Sequence, residues 1–274
     1  MSADFTEDEI QRYSRHILLP EVGGIGQAKL RAASVLIVGA GGLGSPLLLY
    51  LAAAGVGRIG IVDQDVVELS NLQRQIAHSM ASIGSGKAAS AAATASAINP
   101  DLRIEPRETR LDAGNALALV GDYAIVCDGS DNFATRFLLA DACFLARRTL
   151  ISAAVLRFEG QLSVFRPHRD PDAPCYRCLY PEPPPAGLVP SCSEAGVFGA
   201  VTGVMGTLQA CEVLKEILGI GESLAGRVLI WDALSQRMRS VRLKRDPACR
   251  LCGPNAEIHD LAEHRRVPDL VCAV

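Results

Sequence analysis

From Ser34 onward, short apolar runs alternate with longer stretches rich in alanine and leucine. Val35–Val38 and Arg58–Val62 are nearly unbroken apolar runs beside glycines, the pattern of strands buried on both faces of a parallel sheet. A helix is predicted from Leu43 between them. A second, alanine-rich helix is predicted over Gly86–Ile98 and is stopped by Asn99-Pro100. Leu102–Glu105, Tyr123–Cys127 and Leu150–Ala153 read as further strands separated by helical segments. This alternation predicts an α/β fold: a doubly wound, mostly parallel sheet with helices on both faces. Ahead of it, residues 4–30 read as a polar helical arm, with Thr6 and Glu9 spaced as a capping box.

The rhythm changes after Ser152. Gly160–Phe165 has the pattern of an antiparallel strand that extends the sheet. Prolines then crowd the chain at 167, 171, 174, 181, 183, 184, 185 and 190, which predicts a long exposed loop holding neither helix nor sheet. An apolar helix is expected from Phe198 to Leu218, ended by Gly219, with two more strands at Val228–Trp231 and Met238–Leu243. The polar tail after Gly253 gives no fold signal. The expected organisation is one domain over residues 1–253, arm included, and an unassigned tail over 254–274.

The whole-chain balance narrows the function. The 274 residues carry a net charge of −3, so no basic stripe for nucleic acid is expected. The longest apolar runs, such as Pro46–Val56, are too short to span a membrane. Met1–Ile10 is acidic and polar rather than a signal peptide, so a cytoplasmic protein is expected. Nine cysteines in such a compartment are not read as disulfides. Four form two C-x-x-C pairs, Cys175/Cys178 and Cys249/Cys252. Cys127, Cys143, Cys192, Cys211 and Cys272 stand alone, most of them as small buried hydrophobes.

Gly39, Gly41 and Gly44 satisfy G-x-G-x-x-G between a predicted strand and a predicted helix, with Gly42 inside the turn. Such a turn brings backbone N–H groups close to a phosphate, and the signature makes the fold Rossmann-like. Asp63 lies 19 residues beyond Gly44, suitably placed for ribose hydroxyls. Alone, this pair of features suits NAD, and an NAD-dependent oxidoreductase is the alternative reading. The run D-Q-D-V-V-E-L-S-N-L-Q-R-Q, Asp63 to Gln75, is richer than a dinucleotide site needs. Arg74 and Lys87 add two cations, and Asp131-Asn132 follows the fourth predicted sheet strand at the same end of the sheet. Two cations, an acid and a helix terminus suit a triphosphate with Mg²⁺.

Thiolates from two C-x-x-C knuckles make a closed tetrahedral Zn²⁺ site, which is structural because no coordination position stays open. The gap of 70 residues between the pairs makes such a metal a staple between distant segments. A redox role needs a low-pKa thiol at a helix start. Neither pair is expected in that context. Cys192, just before the long helix, reads either as an activated nucleophile or as a passive loop cysteine. Arg15 reads either as a solvated charge or as a phosphate clamp.

Taken together, R-Y-S-R-H-I-L-L, V-G-A-G-G-L-G-S-P, the Asp63–Gln75 run, G-K-A, S-D-N-F-A-T-R, C-Y-R-C and C-R-L-C-G resemble the MoeB/ThiF group of adenylyltransferases, relatives of the ubiquitin-activating enzymes. The resemblance covers about Phe5 to Gly253 and implies ATP-dependent adenylation of the C-terminal glycine of a ubiquitin-like sulfur-carrier protein ending Gly-Gly. It implies that Gly39, Gly41, Gly42 and Gly44 hug the phosphates and that Asp63 binds the ribose. Ser70, Asn71, Leu72, Gln73, Arg74 and Lys87 line the triphosphate, with Asp131 on Mg²⁺ and Asn132 beside it. It also implies a homodimer in which Arg15 reaches the neighbouring subunit's site, a carrier tail near Arg136, and a sulfur-transfer role for Cys192. Ala140 stands where members of the group often carry Asn. With no rhodanese-like domain expected after residue 253, a separate sulfurtransferase or cysteine desulfurase would supply sulfur. The pathway, molybdopterin or thiamine among others, stays open.

Overall fold

The computed structural model describes residues 5–185 and 195–265. Within them the sheet has the order β3-β2-β1-β4-β5-β6-β7-β8. The parallel part comprises β1 (Ser34–Val38), β2 (Arg58–Val62), β3 (Arg103–Arg107), β4 (Ile125–Asp128) and the first half of β5 (Thr149–Leu156). β6 (Glu159–Phe165), β7 (Arg227–Asp232) and β8 (Arg237–Arg242) extend it antiparallel. The predicted Rossmann-like architecture, parallel and then antiparallel, is therefore present.

Side-chain alternation along the strands builds a core on each face. Val35, Ile37, Ile59, Ile61 and Ile125 point to one side and pack on α3 (Gly44–Ala54), α4 (Lys87–Ile98) and α8 (Gly199–Leu218) through Leu47, Leu51, Ala91, Val201 and Met205. Leu36, Val38, Val126 and Leu150 point to the other and meet α5 (Ala116–Gly121) and α6 (Phe133–Leu145) through Val120, Phe137 and Leu139. α3 and α8 end at glycines in the left-handed region, Gly55 (φ +82°) and Gly219 (φ +72°). The arm forms α1 (Glu7–Ile17) and α2 (Gly23–Ala32). Its capping box is present: Thr6 Oγ1 accepts from the Glu9 N–H, and Glu9 Oε2 accepts from the Thr6 N–H.

Three expectations need correction. β3 lies further along than Leu102–Glu105 and includes Pro106, which an edge strand tolerates because only one side is paired. The proline-rich segment does hold a helix, the single turn α7 (Tyr176–Leu179). No proline falls between Pro174 and Pro181, and Tyr176 anchors the turn edge-on against Phe137 and Phe165. The segment after Gly253 is also built into the fold: Ile258 and Leu261 are buried, and a 3₁₀ turn covers Ala262–Arg265. His264 Nε2 lies 2.7 Å from the fully buried Asp141, which Arg177 of α7 grips with two hydrogen bonds of 2.8 Å.

Of the isolated cysteines, Cys127 and Cys143 are buried and their thiols are pushed up by that burial, whereas Cys211 is exposed. Cys192 and Cys272 lie outside the described residues. No described helix is long and apolar enough to cross a membrane.

Candidate active site and metal centre

The strand order reverses at β1, which lies between β2 and β4. A crevice therefore opens at the carboxyl ends of β1 and β4, where ligands bind in open α/β sheets. The glycine turn fills the start of that crevice, and its glycines are required by contact. Gly39 has φ +96°, and a Cβ there would lie 2.7 Å from the Gly129 carbonyl oxygen. A Cβ on Gly44 would lie 1.9 Å from the Gly39 oxygen, and one on Gly42 would meet Thr202 Oγ1 of α8 at 2.9 Å. The turn is thus wedged between the end of β4, the start of α3 and the start of α8. At the start of α3, Pro46 has no N–H and the Ser45 N–H donates to the Gly41 carbonyl (2.9 Å), so the donors offered to a ligand are those of the glycine turn itself.

Asp63, at the end of β2, accepts the Ala40 N–H on Oδ2 (2.8 Å) and the Asp65 N–H on Oδ1 (2.9 Å). Burial pushes its carboxyl up, and these two hydrogen bonds oppose the shift. Each oxygen keeps a lone pair for a further donor. Beyond it a 3₁₀ turn, Leu69–Asn71, places Ser70 on the surface and buries Asn71, whose Oδ1 accepts from the Glu68 N–H at 3.2 Å. Leu72 and Arg74 are half-buried, and an Arg74 guanidinium N–H donates to the Ser70 carbonyl at 3.1 Å. Gln73 lies under the start of α8, where a Cβ on Gly199 would come 2.4 Å from its carbonyl oxygen. Lys87 is the first residue of α4; it is buried, with Nζ 2.9 Å from Asp65 Oδ2.

Asp131 follows β4, is exposed, and lines a cavity of about 220 Å³ with Arg136, Ser152, Gln161 and Tyr180. The Asn132 Oδ1 is committed to capping α6 through the Thr135 N–H (2.8 Å). Arg15 does not join the site within one chain. α1 is fastened at the opposite end of the sheet, where Arg12 donates to the Ile98 carbonyl and Tyr13 packs against Gly55.

Among the residues that support the site, Asp128 and His78 escaped the sequence reading, whereas Gln75 ends the Asp63–Gln75 run and Gln209 lies in the predicted helix Phe198–Leu218. Asp128, the last residue of β4, is buried and accepts from Ser130 Oγ (2.6 Å) and Ser152 Oγ (2.9 Å), with Arg136 Nε at 3.9 Å. Gln209 of α8 donates to the Asp128 and Ile151 carbonyls and so ties β4 to β5. Gln75 and His78 lie beneath the glycine turn; the amide nitrogen of Gln75 would be 3.7 Å from a Cβ on Gly41. The available signals were a second acid three residues before Asp131 and the Q-I-A-H continuation of the polar run.

The two cysteine pairs do meet. The Sγ atoms of Cys175, Cys178, Cys249 and Cys252 all lie within 4.8 Å of one another. The contacts Cys175–Cys178 (3.8 Å), Cys175–Cys249 (3.6 Å) and Cys178–Cys252 (3.4 Å) are close to the edge of a tetrahedral Zn–S₄ site. Zn–S bonds of about 2.3 Å give an edge of about 3.8 Å. The cluster can therefore hold a zinc ion. The expectation that neither pair meets a helix start is corrected, because Cys175 is the N-cap of α7. Hydrogen bonds from Cys175 and Cys252 hold the Cys178 thiol below the usual thiol range. Four converging thiols nonetheless mark a ligand set rather than a redox pair. Leu251 and Ile258 close over it.

Fold and site together define a doubly wound α/β protein with a glycine turn at the switch point of its sheet and a four-cysteine cluster able to hold zinc. The ThiF family pattern matches residues 13–251, and the chain belongs to that family. It is 52% identical to the adenylyltransferase and sulfurtransferase MOCS3 of Bos taurus over 96% of this chain and 57% of that protein. Thus the chain spans little more than half the length of that relative. It is 47% identical to the sulfur carrier protein adenylyltransferase of Thermus thermophilus, over 95% of this chain and 97% of that one. Among solved structures, E. coli MccB superposes with a TM-score of 0.77 at 23% identity, covering 88% of this chain and 74% of MccB, and so shares the fold. The oxidoreductase reading of the glycine turn finds no support in these relatives.

Proposed function

We propose that this chain binds Mg²⁺-ATP at the carboxyl ends of β1, β2 and β4 and adenylates the terminal glycine of a small ubiquitin-like sulfur carrier ending Gly-Gly. The observation that carries the reading is that the glycine turn, Asp63 and Lys87 gather at the carboxyl ends of β1 and β2, while Asp131 follows the adjacent β4 and lines a cavity with Arg136. The names of the relatives support it.

The carrier carboxylate attacks the α-phosphorus of ATP, pyrophosphate leaves, and an acyl-adenylate forms. A carboxylate is ionised at neutral pH, so the step needs no general base. Positioning and charge neutralisation supply the acceleration. In this reading Asp63 holds the ribose, while the glycine turn, Ser70–Arg74 and Lys87 hold the phosphates. The metal residues are Asp131 for Mg²⁺, with Asn132 at the start of α6 beside it, and the four cysteines for Zn²⁺. Mg²⁺ bound there would neutralise charge on the leaving pyrophosphate. Arg15 belongs to the neighbouring site of a homodimer, and Cys192 to later sulfur transfer, with a separate sulfurtransferase or cysteine desulfurase as donor and molybdopterin or thiamine synthesis as the setting. The adenylyltransferase domain is taken as 1–253, with 254–265 packed against it.

The test is exchange of labelled pyrophosphate into ATP. Exchange should require a carrier ending Gly-Gly and fall by roughly two orders of magnitude or more in Asp131→Ala. No exchange with any such carrier would overturn the reading.

A further inference from the structure

Ala40 lies between Gly39 and Gly41, where the chain has little side chain to fix it. Both of its backbone polar groups are nevertheless taken by side chains from other segments. Its N–H donates to Asp63 Oδ2 at 2.8 Å, and its carbonyl lies 3.0 Å from His78 Nε2. A carbonyl oxygen can only accept, so Nε2 carries the hydrogen. In a neutral ring Nδ1 is then an acceptor, filled by the Ser90 hydroxyl at 2.9 Å. Ser90 lies on α4, three residues after Lys87. The backbone beside His78 is tied to the same helix, since Thr94 Oγ1 donates to the Ala77 carbonyl at 2.7 Å.

We propose that His78 is a positioning residue for the nucleotide: a buried neutral strut that joins the phosphate turn to the helix carrying Lys87. This rests on the nucleotide reading of the crevice. Two spans of chain must keep a fixed separation to grip one polyphosphate, the turn through its N–H groups and α4 through Lys87. The imidazole bridges them with one hydrogen bond at each end. Without it the Ala40 carbonyl loses its donor, and the peptide between two small residues is released to rotate its oxygen toward the phosphates. Burial lowers the tendency of His78 to protonate and Lys87 acts in the same direction, while the hydrogen bond to the Ala40 carbonyl and the Asp63 charge oppose them. In the neutral ring it is the Ala40 carbonyl, an obligate acceptor, that selects the Nε2–H tautomer.

Two measurements test this. In ¹⁵N-histidine-labelled protein His78 should appear as the neutral Nε2–H tautomer and titrate below the usual imidazole value. Binding of a non-hydrolysable ATP analogue, read by calorimetry, should weaken roughly tenfold in His78→Phe and stay within about threefold of wild type in His78→Gln, which keeps a donor near Nε2. In pyrophosphate exchange the His78→Phe loss should appear in the KM for ATP and leave the KM for the carrier unchanged. Wild-type nucleotide affinity in a folded His78→Phe, or an Nδ1–H tautomer, overturns the assignment. If His78→Phe does not fold, His78→Gln and the tautomer decide. A wild-type protein that binds no nucleotide overturns the functional reading together with this role, whereas wild-type binding with an insensitive variant overturns the role alone.

Discussion

The two ends of the parallel strands use charge in opposite ways. At the amino ends, charges are consumed by one another. Arg58 donates to Glu105 at 2.9 and 3.0 Å, pairs with Asp122 and lies 4.3 Å over the Tyr123 ring. The Tyr123 hydroxyl donates to Glu105 at 2.6 Å, in space left by Gly60. At the carboxyl ends, Asp63 accepts only one N–H on each oxygen, Asp131 is exposed, and the start of α3 has no side-chain cap. One end has spent its bonding capacity on the fold, and the other keeps capacity for a ligand. The contrast separates residues whose loss should be felt as stability from residues whose loss should be felt as binding.

The largest effect should come where the ligand end is built from backbone. In Gly44→Ala the new methyl meets the Gly39 carbonyl at 1.9 Å, and no flexible group can yield. A destabilisation of about 4 kcal/mol or more is expected, with nucleotide binding lost as well, read by thermal melting and calorimetry. A variant that melts like wild type would show that the turn is looser than its contacts imply. Next comes Asn99→Ala at the amino end. Asn99 is fully buried and donates to the Tyr13 hydroxyl and the Ala52 carbonyl, so the change should cost about 2 kcal/mol while ATP affinity stays at the wild-type value. Weakened ATP binding there would break the division between the two ends.

The smallest effect is a pH dependence. Hydrogen bonds from Arg58 bring Glu105 from 4.5 down to about 2. A carboxylate with a lowered folded value stabilises the protein above its unfolded value and loses that contribution as pH falls through the folded one. Glu105→Gln should therefore be less stable than wild type at neutral pH, and the gap should close as the pH falls from about 4.5 toward 2. Acid melts of the two proteins that stay parallel over that window would refute it.

Legibility in the sequence followed burial. β1 and β2 lie between two helical layers, so their apolar runs stand out, and the glycine turn with Asp63 and Lys87 could be placed from spacing alone. β8 has every residue exposed, and β3 carries Arg, Glu and Pro, so neither offered a clear period and their bounds slipped. The tail after Gly253 is held by single apolar residues, Ile258 and Leu261, too sparse to form a pattern. The supports of the site were hidden for a different reason. His78 and Asp128 act through contacts across 38 and 24 positions of chain, so the sequence showed them only as a continued polar run and a second acid and not whom they touch.

Among the described residues β8 ends the sheet with one side unpaired, and Arg237, Arg239 and Arg242 spread along it. A free strand edge is a template on which another copy could add its own. Here an identical edge would bring its own arginines against these three, and the repulsion acts before backbone hydrogen bonds can form. The strand least defined by its burial thus acts as a guard, keeping an eight-stranded sheet from growing into a ribbon of many chains.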